Sequence, residues 1–153
     1  MPSVTTWTKM YKYKWLNRIA RWAVLRKGAD IPQRVQIGSG VTFPHNALGT
    51  VIHPATILED DVKVYQNVTI GRGDIWKPYD KSNELSFRIK KGAVLCAGCK
   101  VIASKGQLAV GKNTIIAANA VLLQSTGDNE VWGGTRSQVK GFVNESFARH
   151  LFT

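Results

Sequence analysis

The sequence predicts an all-β fold: a parallel β-helix of hexapeptide repeats, entered through a short N-terminal α-helix. Three observations carry that prediction. In the stretch VIHPATILEDDVKVYQNVTIG, Ile52, Leu58, Val64 and Ile70 recur every six positions. Four residues after the first three stand Thr56, Val62 and Val68, all small or β-branched. Gly, Asn and Asp fall between them, at corners where tight or left-handed backbone is needed. A period of six matches neither the helical repeat of about 3.6 nor strand alternation. Self-similarity at a fixed period marks a stacked architecture. Each hexapeptide supplies one short strand and one turn, and three make a triangular coil. The aliphatic residue points into the prism, where only neighbouring coils can bury it.

Taken in order, residues 7–27 read as one amphipathic helix, with Trp15, Ile19 and Trp22 on a face joined by Leu16 and Ala23. Lys12, Lys14, Arg18, Arg21 and Arg26 lie largely elsewhere, and Gly28 suits the C-cap. The aromatic face is expected to pack on the adjoining domain or a neighbouring subunit. Peripheral contact with an anionic membrane is the main alternative, and nucleic acid is not expected. The repeat follows with Ile31, Ile37 and Phe43, then three extra residues at 49–51, then Ile52 to Ile70. A polar and aromatic segment, 72–88, breaks the phase and reads as a protruding loop. Ile89, Leu95 and Val101 restore it, 104–109 break it briefly, and Val110, Ile116 and Leu122 complete it. The domains are therefore a helical segment 1–30, a β-helix 31–136 and a tail 137–153, with a short helix expected near 144–151.

Composition bounds the function. A chain of 153 residues with 44% apolar and 20% charged content suits a single globular domain. It has no apolar run long enough for a membrane span, and residues 1–30 lack the apolar core of a signal peptide. A cytoplasmic protein is expected, with any membrane contact at the inner face. The net charge of +11 favours polyanionic partners, phosphorylated cofactors among them, and seven of the 21 basic residues lie between Lys9 and Lys27. Cys96 and Cys99 form a lone CAGC, too few ligands for zinc, so Cys99 reads as a small buried hydrophobe and no metal is expected.

With the repeat established, the chain resembles the hexapeptide acyltransferase superfamily, and within it the serine acetyltransferase branch. ILEDDVKVYQNVTIG resembles that branch's V-I-G-D-D-V-x-I-Y-Q-x-V-T-L-G; IKKGAVLCAGCKVI and VGKNTIIAANAVLL resemble its downstream coils. The likeness covers about residues 30–138. It implies a left-handed helix, a homotrimer with sites between subunits, and acetyl transfer from acetyl-CoA to a hydroxyl with histidine as general base. A neutral imidazole suits that step, because its pKa near 6.5 leaves it mostly deprotonated at neutral pH. His45, in FPHNALG, holds the family position of the base. Asp30, fifteen residues earlier as in the family, would orient it. His53, at the next turn, does not match the base.

The resemblance also implies that CoA runs past small residues and backbone amides, at Gly71, Ala97 and Ala118. Lys100, Lys112, Arg136 and Lys140 are candidates for its phosphates. The family's terminal G-N-P-A-R stands here as GGTRS, without the proline. Other departures concern the acceptor. The aspartate before the catalytic histidine is Pro44, and an Arg-His pair is replaced by Leu85 and Ser86. Free serine loses charged partners worth about 1–3 kcal/mol each. The expected acceptor is accordingly a sugar or cell-surface glycan. Trp76, Tyr79 and Phe87 would stack on a pyranose, and Asp74, Lys77, Asp80 and Arg88 would hold its hydroxyls. Serine O-acetylation and a catalytically silent scaffold remain the alternatives.

Overall fold

The computed structural model describes residues 2–77, 84–135 and 138–142. The chain opens with α1 (Val4–Thr8), a 3-10 turn (Lys9–Lys12) and α2 (Asn17–Arg26). Eight short strands carry the first coils: β1 (Gln36–Ile37), β2 (Val51–Ile52), β3 (Thr56–Leu58), β4 (Lys63–Val64), β5 (Thr69–Arg72), β6 (Leu85–Ile89), β7 (Val94–Leu95) and β8 (Lys100–Ala103). β9 (Gly106–Val110), β10 (Ile115–Ile116), β11 (Val121–Leu122), β12 (Glu130–Gly133) and β13 (Gln138–Phe142) follow.

The strands form three sheets, ordered β1-β3-β6-β9, β2-β5-β8-β11 and β4-β7-β10-β12-β13. Each sheet takes every third strand of the winding, with every pairing parallel except β12 with β13. This is the left-handed parallel β-helix prism. Register follows the hexapeptide phase: Ile52 lies beside Ile70, Ile70 beside Val101, and Leu58 beside Ile89. Twelve of the thirteen apolar anchors are buried, Ile37 being half-buried, and so are residues four positions on, such as Val35, Val62, Val68, Cys99 and Ala120. The core is a column in which each coil covers the next.

The structure departs from the expected pattern in three places. The N-terminal helix is broken at residues 9–16, and its buried face is Ala20, Ala23 and Val24 rather than the aromatic one. Small side chains let α2 lie close to the prism, while Trp15, Ile19 and Trp22 point to solvent. The second departure is that both breaks of phase are narrower than they read. β6 and β9 pair along five residues, from Leu85 opposite Gly106 to Ile89 opposite Val110. Their side chains alternate in and out, so Leu85, Phe87 and Leu108 join the core. Last, the described part of the tail adds an antiparallel strand to β12; the helix expected near 144–151 lies outside the described residues.

Candidate active site

His45 sits on a one-turn segment, Pro44–Ala47, in which His45, Asn46 and Ala47 all have positive φ (53°, 55° and 49°). Three consecutive non-glycine residues in the left-handed region are costly, and such backbone persists only where its surroundings hold it. Here α1 does so. The Val4 amide donates to Asn46 Oδ1 (3.2 Å), and the Phe43 amide donates to Thr5 Oγ1 (2.9 Å). The turn buries Ala47 completely and leaves His45 exposed. Its imidazole has no hydrogen-bond partner among the described residues; the Tyr65 ring lies 6.3 Å away, tilted.

Below His45 runs one edge of the prism, between the β4-β7-β10 sheet and the β2-β5-β8 sheet. Successive corners stack along it through single backbone bonds: Asn67 N to Leu48 O, Gly98 N to Gln66 O, and Asn119 N to Ala97 O, at 2.8–2.9 Å. Gly49, Asn67, Gly98 and Asn119 each adopt the left-handed conformation. Asn67 lies over Gly49, and Asn119 over Gly98, where a Cβ would collide with the asparagine Oδ1. The structure therefore brings His45, Ala97 and Ala118 to one edge. The amides of Ala97 and Ala118 donate to no partner among the described residues, and methyl groups leave them open. Gln66 Oε1, on the same edge, is buried without a partner among the described residues. Sequence reasoning missed Gln66, since nothing about a corner glutamine predicts an orphaned acceptor.

Other predicted groups are placed elsewhere. Gly71, paired with Ile102, lies at the far end of β5, away from Ala97 and Ala118. Lys112 is exposed on another edge, beside Asn113. The Lys100 ammonium is spent on the carbonyls of Asn67 (3.0 Å) and Gly98 (2.8 Å). Asp30 is engaged by the Arg21 guanidinium of α2, and no hydrogen bond joins it to His45 among the described residues. Beside it the Tyr11 hydroxyl donates to Ile31 O (2.8 Å), and burial pushes its pKa up to about 12, opposed by Arg21. The N-terminal segment thus braces both the His45 turn and Asp30. An open groove of about 500 Å³ between this segment and the first coil, lined by Tyr11, Gln33, Ile37 and Gly40, does not reach His45.

The acceptor residues fare unevenly. Trp76 is 76% exposed, as stacking on a ligand requires. Phe87 is fully buried in the core and cannot stack on one. Arg72 Nε donates to Asp74 Oδ1 (2.6 Å), which holds the Asp74 carboxyl below its usual range. Arg72 also donates to the carbonyls of Asp74 and Lys77, so this arginine fixes the root of the loop. Arg88 Nε donates to Glu59 Oε1 (2.7 Å) and lowers the Glu59 pKa in turn. Asp74 and Arg88, both expected at the acceptor, thus each stand in an ion pair within the chain. Tyr79, Asp80 and Arg136 lie outside the described residues, as does the Lys140 side chain.

His53 is a structural residue. Its Nδ1 accepts from the Ala55 amide (3.2 Å), its ring meets the Phe87 edge at 5.5 Å, and burial lowers its pKa. Cys99 is fully buried and its thiol is pushed up to about 12 by burial, with Cys96 adding to the rise, so neither cysteine is poised as a thiolate. Among the described residues no three His, Cys, Asp or Glu side chains gather as a metal site. No helix there is long and apolar enough to cross a membrane.

No family model matches the chain. It is 32% identical over 129 residues, 84% of its length and 44% of the relative's, to a Schizosaccharomyces pombe protein whose serine acetyltransferase name is provisional. It is 30% identical over 112 residues to the serine acetyltransferase of Salmonella typhimurium, covering 73% of this chain and 38% of that one. The serine acetyltransferase of Brucella abortus superposes on 90% of the chain with a TM-score of 0.71 at 26% identity. The same enzyme in complex with coenzyme A superposes on 92% with 0.72 at 25%. In both structures the chain spans 54% of the neighbour, and it spans less than half of the two relatives.

Proposed function

The chain belongs to the hexapeptide-repeat acyltransferase superfamily, and from that premise we propose that it transfers an acetyl group from acetyl-CoA directly to a hydroxyl, with His45 as general base. One observation carries this: an imidazole with no hydrogen-bond partner among the described residues stands on a strained turn, at the head of an edge whose small residues present amides unused among those residues. The imidazole removes the acceptor's hydroxyl proton as its oxygen attacks the thioester carbonyl. The tetrahedral adduct then expels the CoA thiolate, which recovers that proton from the imidazolium. Ala97 and Ala118 suit the pantetheine arm, whose amide carbonyls need donors, and Lys112 and Arg136 are the cations considered for its phosphates. Asp30 reaches His45 in this reading only by exchanging its contact with Arg21.

The acceptor favoured by the relatives is serine. A glycan hydroxyl is the second reading, supported by Pro44, Leu85 and Ser86, which remove the charges a zwitterion needs, and by the exposed Trp76. Leu48 and Val51, 59% and 45% exposed, suit burial by a neighbouring copy, which supports the homotrimer with sites between subunits that the family resemblance implies. Acetyl-CoA-dependent CoA release is to be measured with L-serine and with a panel of nucleotide sugars and oligosaccharides. Turnover with serine alone selects the first reading, turnover with glycans alone the second. No CoA binding at millimolar concentration refutes both.

A further inference from the structure

The N-terminal segment holds a surface that acetyl transfer does not use. Residues 2–29 contain seven Lys and Arg and no Asp or Glu. Once α2 has buried Ala20, Ala23 and Val24, it turns outward Ile19 (54% exposed), Trp22 (59%) and Leu25 (48%), and Trp15, in the turn just before it, is 77% exposed. Positions 18, 19, 22, 25 and 26 follow helical spacing, so Arg18 and Arg26, expected from the sequence to lie largely elsewhere, share that face. The Arg26 guanidinium lies over the Trp22 ring at 4.9 Å, and the Lys12 ammonium 5.0 Å from the Tyr13 ring centroid. Two indoles and two aliphatic chains grouped in water mark an interaction site.

We propose that this face docks on an anionic lipid bilayer. The charge pattern argues against a second copy as occupant: two such faces meet positive to positive, with no carboxylate on either. Elsewhere five of the chain's ten carboxylates, Asp30, Glu59, Asp61, Asp74 and Asp128, are each paired with a basic side chain, and the net charge of +11 sets two copies against each other. Nucleic acid would answer the charge but leave Ile19 and Leu25 wet. A bilayer interface answers both. Indoles settle at headgroup depth with their ring N–H groups wet, and the basic side chains meet anionic headgroups. A ten-residue helix is suited to lie in the interface plane rather than span it. The proposal is independent of the acetyl-transfer reading, and binding is measured without turnover.

The full chain is to be sedimented with vesicles of phosphatidylcholine alone, and with vesicles in which a third of the lipid is phosphatidylglycerol. Tryptophan emission is followed in parallel. The expected result is binding to the anionic vesicles only, with a blue shift of emission, weakened at least tenfold by high salt. Trp15→Ala with Trp22→Ala, and separately Arg18→Gln with Arg26→Gln, are each expected to weaken binding at least tenfold. These side chains are exposed, and an unchanged far-UV spectrum verifies folding. Four outcomes overturn the proposal. They are equal binding to neutral vesicles, no binding to either, self-association abolished by the tryptophan variants, or retention on single-stranded RNA but not on vesicles.

Discussion

Two edges of the prism pass close to a histidine and use it in opposite ways. The edge headed by His45 is closed below that residue: Gly and Asn interlock, and the backbone is left-handed at Asn67, Gly98 and Asn119. The edge at His53 is open. There β5 ends at Arg72 and β6 begins only at Leu85, and residues 104–105 separate β8 from β9. His53 is locked by the Ala55 amide and the Phe87 ring, whereas His45 stands exposed on a strained turn. A tight edge leaves a narrow ledge of amides for an extended ligand. An open edge admits insertions, the usual means by which a repeat fold varies specificity.

The largest expected effect tests the closed edge as the CoA ledge. Ala97→Trp should raise the KM for acetyl-CoA about 100-fold, equivalent to about 2.7 kcal/mol, with Tm little changed, and Ala118→Trp should act in the same direction. Next, Gly98→Ala should destabilise by about 1–2 kcal/mol, since a left-handed alanine must also displace Asn119. At the open edge Gly106 shares the positive φ but has nothing within 4 Å of a new Cβ, so Gly106→Ala should cost about 1 kcal/mol. Equal losses in urea titrations would erase the distinction between the edges. Trp76→Ala should raise the KM for the acceptor about fivefold, as expected for loss of about 1 kcal/mol of ring contact, and leave that for acetyl-CoA unchanged.

The smallest effect concerns His53. Its folded pKa lies below the ordinary 6.5, so between those values the unfolded chain binds the extra proton. Stability should therefore be insensitive to this residue above about pH 6.5 and fall as pH drops through the lowered value. His53→Gln should flatten that part of the urea-midpoint profile; an unchanged profile would show that the imidazole is not protected by its burial.

The prism was legible because period and burial are the same fact: each aliphatic anchor had to face its counterpart in the next coil. The two phase breaks misled because β6 and β9 are five-residue strands that bury alternate residues, and alternation over so few positions hides among polar ones. Within the chain, size decides which face of α2 lies against the prism. Trp15, Ile19 and Trp22 outrank Ala20, Ala23 and Val24 in hydrophobicity, yet small residues allow the closer approach. The pairing of Asp30 with Arg21, and of Arg88 with Glu59, joins residues brought together only by the winding, which spacing does not report. His45 was found through family position. Its strain, and its lack of a hydrogen-bond partner among the described residues, required coordinates.

The central claim is that His45 handles the proton in acetyl transfer from acetyl-CoA. CoA release is to be compared between the wild-type chain, His45→Ala and His53→Gln, with whichever acceptor supports turnover. Loss of about 10²–10⁴-fold in kcat for His45→Ala, with Tm and the KM for acetyl-CoA preserved and His53→Gln near wild type, is the predicted result. Full turnover by His45→Ala would contradict it.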